Sequence, residues 1–135
     1  MTTVRRGYSP HDQREFTGPA LDKLKTAAQE LRYLLDRGYA LSGASVFVGN
    51  HHQLSERQRI SLARSVCSRE GEAAREAKRR EPEAMAGRTA HIDGFNAVIT
   101  LEVALSGSPV LTCCDGAVRD LAGLRGTYRL IDKTE

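Results

Sequence analysis

The chain has no tryptophan and only 5% aromatic residues, so it offers no broad platform on which successive bases could stack. It also lacks a CxxC pair. Its three cysteines, Cys67, Cys113 and Cys114, are an odd number, and neighbours in sequence rarely bridge comfortably. Reduced thiols in a cytosol account for that usage most simply. No apolar run approaches the roughly 18 residues of a membrane-spanning helix. The opening MTTVRRGYSPHDQREF has no apolar core and does not read as a secretion signal. A cytoplasmic protein with no membrane partner is the expectation.

What is present suits one domain, or two small units sharing a core: 135 residues, 40% hydrophobic and 27% charged. The net charge of +3 is a mild basic bias, compatible with a nucleic-acid partner but not evidence of one.

Residues 1–16 are polar and aperiodic and read as a frayed arm. A helical unit is expected over 17–84. Thr17 and Pro19 offer a helix start and Gly38 a stop, and Leu21, Leu24, Leu31, Leu34 and Leu35 fall on one face between them. Ser42 could cap a short helix over Ala44 to Val48 that Gly49-Asn50 would turn. Val46-Phe47-Val48 reads equally as a strand, because a run that short has no decisive period. Ser55 followed by Gln58 is a capping-box pattern, Ser68 a further cap, and Pro82 a stop. Two short helices joined by a turn admit a helix-turn-helix reading. The 57–80 region is locally basic, and Arg57, Arg59, Arg64 and Arg79 are candidate phosphate contacts. The bland alternative is a solvated face laced with i,i+4 pairs. His51-His52 has no cysteine or carboxylate at ligand spacing, so it reads as a polar turn rather than a zinc site.

Over 85–135 the texture changes. RTAHID reads as a strand, NAVITLEVALSG as a mostly buried helix, PVLTCC as a second strand, and DGAVRDLAGL as a turn into another helix. That order predicts an α/β unit with parallel strands, too small to stand alone. It would lean on the helical half or form a homodimer.

Sites in open α/β sheets lie beyond the carboxyl ends of the strands. Asp93 would sit there with Asn96 beside it, and Asp115 would hold the matching place after the second strand. Such carboxylates suit Mg²⁺ or Mn²⁺, with Asp120 as an outer ligand and Arg119 as a phosphate contact. The competing explanation is simple: Asp and Asn are favoured helix caps, and Asp-Gly is a common turn.

The stretch HIDGFNAVITLE resembles the DGxN start of PIN-like and NYN ribonuclease domains. Over about residues 14 to 128, the stretches LRYLLDRGYALSGASVFVGNHHQLSERQRISLARSVCS and IDGFNAVITLEVALSGSPVLTCCDGAVRDLAG resemble an uncharacterised prokaryotic family, domain of unknown function 434. These resemblances imply a helical unit packed on a short, incomplete PIN-like/NYN-like half. They place the first acidic metal ligand at Asp93 and its polar companion at Asn96, which makes these two the candidate catalytic residues. The activity implied is divalent-metal-dependent phosphodiester hydrolysis, with RNA expected over DNA, or an inactive nucleic-acid-binding remnant of it. PIN-like nucleases draw further acids from later strands, and relatives are expected to continue past Glu135. Asp115 and Asp120 do not map onto those later ligands. The rival reading is a non-enzymatic module, either a helical nucleic-acid binder or a dimerising scaffold.

Overall fold

Helix α2 (Gly18–Asp36) shows how the sequence builds the helical part. Thr17 enters extended and Pro19 occupies the first turn, where a missing N–H costs nothing. Gly38 takes a φ of +84°, the left-handed geometry that closes a helix, and the Tyr39 amide reaches back to the Leu34 carbonyl at 3.2 Å. One face of α2 buries Leu24, Ala27 and Leu31. The computed structural model describes residues 4–123 and 128–134.

Helix α3 (Leu41–His51) settles the ambiguity at Val46–Val48. Ala44 and Val48, one turn apart, are both buried against α2, so tertiary packing selects the helix. Its N-cap is Ala40 rather than Ser42, and Gly49 and Asn50 lie inside the helix. Gly49 lies against the Arg59 side chain of α4. A Cβ there would stand 2.7 Å from the Arg59 guanidinium.

Helix α4 (Glu56–Ser65) begins with the expected capping box. The Gln58 amide donates to Ser55 Oγ at 3.2 Å, and the Ser55 amide donates to Gln58 Oε1 at 3.0 Å. Ser68 caps α5 (Arg69–Glu76) through the Gly71 amide at 3.1 Å, and a 3-10 turn follows at Pro82–Met85. Leu24, Ala27, Leu31, Ala44, Val48, Leu54, Leu62 and Val66 form the main core.

Within its described residues, the opening segment is not a frayed arm. It carries α1 (Asp12–Glu15) and packs back on the chain. The Asp12 carboxylate is buried and held by Arg57, whose Nε donates to Oδ1 at 2.5 Å and Nη2 to Oδ2 at 3.0 Å. Arg5 donates to the Ser106 and Gly107 carbonyls, each at 2.9 Å.

The second half departs furthest from expectation. Residues 88–93 form no strand, because no neighbouring segment offers them a ladder. Helix α6 (Gly94–Leu105) follows, with only Ile99, Glu102 and Val103 buried, so it is mostly exposed rather than mostly buried. Strands β1 (Val110–Thr112) and β2 (Val118–Asp120) pair antiparallel, with Val110 opposite Asp120 and Thr112 opposite Val118. Helices and strands are both present, but the expected parallel order is replaced by a hairpin. Asp115-Gly116 sits in the connection between the strands, Gly116 with φ of +78°, and it returns the chain into a strand instead of opening a helix. The end of that expected helix, at Leu124, lies outside the described residues.

Ser55 caps its helix and Ser42 does not. Ser55→Ala should lower the free energy of urea unfolding by about 1 kcal/mol, while Ser42→Ala should change it by less than about 0.5 kcal/mol. Equal losses in the two variants would contradict the assignment of the α3 and α4 caps.

Candidate functional site

Asp93 precedes α6 in extended geometry and caps it. Its carboxylate accepts the Asn96 amide at 3.5 Å and the Asn96 Nδ2 at 2.6 Å. The pair is exposed, so the capping explanation is satisfied and both side chains still meet solvent. Thr100 lies one turn beyond Asn96 on the same helical face. Its hydroxyl is 3.1 Å from the Asn96 carbonyl and 2.7 Å from Asp120 Oδ2. The other Asp120 oxygen accepts the Ala122 amide at 2.8 Å. A polar edge therefore runs from Asp93 through Asn96 and Thr100 to Asp120.

That edge borders a hollow of about 950 Å³ between α6 and β2. Arg64, Asn96, Thr100, Arg119 and Asp120 supply its polar lining, and Ala97, Ile99, Leu101, Val118 and Ala122 the apolar remainder. Arg64 reaches it from α4 and is anchored there by the carbonyls of Asp120 at 2.8 Å and Ala122 at 3.3 Å.

Asp115, expected beside Asp93, is engaged elsewhere. Its side chain is only 3% exposed. Arg119 grips both its oxygens at 2.9 Å, Arg75 approaches at 3.2 Å, and the Ala117 amide donates at 3.1 Å. The Arg119 hydrogen bonds hold the Asp115 carboxyl well below the ordinary range, and the same bonds push Arg119 up. Asp115 lines a separate hollow of about 370 Å³ with Cys67, Arg75 and Arg119. Among the described residues, no group of three or more His, Cys, Asp or Glu gathers where a metal could be held. The set of Asp93, Asp115 and Asp120 thus divides. Asp93 and Asp120 flank the polar edge, while Asp115 is a structural anion.

The candidate arginines divide in the same way. Arg57 is committed to Asp12 and to the Gly7 carbonyl at 2.6 Å. Arg59 is committed to the Leu54 carbonyl at 2.9 Å and Asn50 Oδ1 at 2.8 Å. Both hold segment junctions together, so they are not free phosphate contacts. Arg79 is exposed, between Glu76 and Glu81 at 3.8 Å each, and does not line the α6–β2 hollow. Helix α4 turns Gln58, Ser61 and Leu62 inward, is held by the opening segment at Arg57 and the hairpin at Ser65, and leaves Glu56, Ile60 and Arg64 exposed along one stripe. His52 pairs with Glu30 at 2.5 Å.

Sequence reasoning missed Thr100 and Glu102. Helical spacing from Asn96 could have found the first, and a lone carboxylate in an apolar helix was the signal for the second. Glu102 is 1% exposed. Burial alone would push its pKa up. Hydrogen bonds from Thr134, Tyr128 and Arg6 outweigh that and hold it below the ordinary range.

Residues 23–78 match the family described as a protein of unknown function, DUF434. The resemblance to that family is confirmed over the helical segment. Residues 82–135 match a second family, described as a domain of unknown function, DUF5616. Neither description mentions a PIN-like or NYN-like domain, so that likeness rests on the short motif at Asp93. An uncharacterized protein of Methanocaldococcus jannaschii is 32% identical over 107 residues, covering 79% of this chain. The chain spans about half the length of that curated relative, 51%. No solved structure matches it.

The Asp115 geometry predicts an acid limb. Folding lowers its pKa from the ordinary 3.8, so its contribution is fully present above that value and is lost as pH falls through the lowered one. Asp115→Asn should cost about 3 kcal/mol at pH 7 and flatten the loss of stability on acidification. Urea titrations at neutral and acid pH test this. Parallel pH profiles for the two proteins would contradict it.

Proposed function

We propose that the α6–β2 hollow binds a phosphodiester segment of single-stranded RNA, and that the chain is a ribonuclease-like nucleic-acid-binding protein. One observation carries the reading. Arg64, Asn96, Arg119 and Asp120, separately singled out from the sequence, line one hollow, and Asp93 is hydrogen-bonded to Asn96 at its rim. The volume, about 950 Å³, is that of a small-ligand cleft, enough for a nucleotide or two and not for a duplex. Arginine and the Asn96 amide are donors for phosphate, and Asp120 is an acceptor for a 2′-hydroxyl. The apolar lining of Ala97, Leu101 and Val118 offers a base something to rest on without an aromatic platform.

Asp120 in the lining and Asp93 at the rim would repel a phosphate unless a cation screened them. The two carboxylates are not a shared ligand set, so Mg²⁺ or Mn²⁺ held mostly by its own water shell is the basis for proposing metal-dependent hydrolysis. Within the chain itself, Asn96 would orient the phosphate and Arg64 would hold the backbone.

Fluorescence anisotropy with a labelled mixed-sequence single-stranded RNA tests this. Affinity should fall steeply with salt and rise when Mg²⁺ replaces EDTA. Arg64→Glu should weaken binding about tenfold, whereas Arg79→Glu should change it less than about twofold. Asp93→Asn should remove the Mg²⁺ dependence and leave stability nearly unchanged, because Asn caps about as well as Asp. No binding by the unaltered protein in Mg²⁺ would end the proposal.

A second reading has its own observation. Phe95, Leu101 and Leu105 on α6 are 66%, 63% and 65% exposed, and the helix's one ionisable residue, Glu102, faces inward. An uncharged face can meet its own copy across a two-fold axis without repulsion, which favours a homodimer formed through α6. Sedimentation equilibrium should show a dimer that Leu105→Lys converts to monomer. A monomeric unaltered protein at about 100 μM would exclude it.

A further inference from the structure

On the other side of Arg119, two cysteines 47 positions apart meet. Cys67 stands in the extended link between α4 and α5, and Cys114 in the connection between β1 and β2. Their sulfurs face each other at 2.7 Å, so a bridge needs only a small approach of the two side chains. The Cys67 amide also donates to Cys114 Sγ at 3.0 Å. Cys113, although adjacent in sequence, turns the other way. It is buried, and its sulfur faces the Arg64 and Leu111 carbonyls at 3.6 Å each. Cys113 follows β1 and Cys114 opens the turn, so the two neighbours point apart and the fold selects one pair out of three thiols.

The backbone already holds the pair in place. The Cys114 amide donates to the Ser65 carbonyl at 2.9 Å, so joining the sulfurs asks for side-chain adjustment and no movement of the two segments. A reagent can reach them, because both residues are half-buried and Cys67 lines the hollow of about 370 Å³ with the exposed cation of Arg75 at its wall. Burial first, and then the hydrogen bond to Cys114, push Cys67 up to about 11. Cys67 therefore keeps its proton at neutral pH and serves as the second, resolving sulfur.

We propose that Cys67 and Cys114 are a redox-active dithiol that a low-molecular-weight disulfide converts to a bridge locking the α4–α5 link to the hairpin. The Cys114 thiolate attacks one sulfur of the external disulfide, forming a mixed disulfide and releasing the first small thiolate, which takes up a proton. Cys67 then loses its proton to solvent and attacks Cys114 Sγ. The intramolecular bond forms, the mixed disulfide breaks, and the second small thiol leaves. Two protein thiols are oxidised and one external disulfide is reduced to two thiols. The inference is independent of what the α6–β2 hollow binds.

The test treats the reduced full chain with increasing ratios of glutathione disulfide to glutathione, then quenches in acid, unfolds, labels with a maleimide and measures intact and peptide masses. Labelled thiols should fall from three to one, the survivor being Cys113, with the Cys67 and Cys114 peptides linked. Dithiothreitol should restore all three. Cys113→Ser should fall from two labels to none, and Cys67→Ser should stop with glutathione retained on Cys114. Three labels throughout the series, a linkage that includes Cys113, or a glutathione adduct that stays on Cys114 of the unaltered protein would overturn the proposal.

Discussion

A carboxylate shut away from water has to be neutralised where it lies, and at Asp115 that requirement organises the second half of the molecule. Its counterions come from two places: Arg119 lies across the turn, and Arg75 projects from α5. A buried pair of this kind contributes little net stability compared with apolar packing, but loss of one partner is expensive. Its value is geometric. It pins the hairpin to the helical segment, aims Cys114 toward Cys67, and sets the Arg119 guanidinium between two hollows.

Helix α6 shows how one short segment serves three surroundings. Ile99, Glu102 and Val103 face inward, Asn96 and Thr100 form the polar edge toward Asp120, and Phe95, Leu101 and Leu105 face outward. With apolar residues on nearly every side, the segment carries no period that separates the inner face from the outer one. The mostly buried helix expected from NAVITLEVALSG erred for that reason. The same ambiguity governs Asp93. A residue that caps a helix and one that rims a hollow have the same sequence signature, and here Asp93 does the first while standing where the second becomes possible.

The helical part was largely legible, because its signals are local. The leucine spacing of α2, the Ser55–Gln58 box and the Ser68 cap each act within four residues; the two caps appear as read, and of the leucine face Leu24 and Leu31 are buried, Leu34 and Leu35 partly buried and Leu21 exposed. The hairpin was not legible, because pairing is decided by what lies opposite. RTAHID has the composition of a strand but no ladder to join, and Asp115-Gly116 serves a helix start and a hairpin turn equally well. Among the site residues, Asn96, Asp120, Arg64 and Arg119 converge as a group that spacing alone could only nominate. Arg57 and Arg59 looked available because the groups they satisfy, the Asp12 carboxylate and the Leu54 carbonyl, are tertiary partners invisible to a count of charges.

The Glu102 carboxylate has a consequence for the path of the chain. Arg6 reaches it from one end of the sequence, while Tyr128 and Thr134 reach it from the other. A single anion therefore acts as a clasp that holds Arg6, Tyr128 and Thr134 against one point of α6. Loss of that one carboxylate would release both segments from the helix at once.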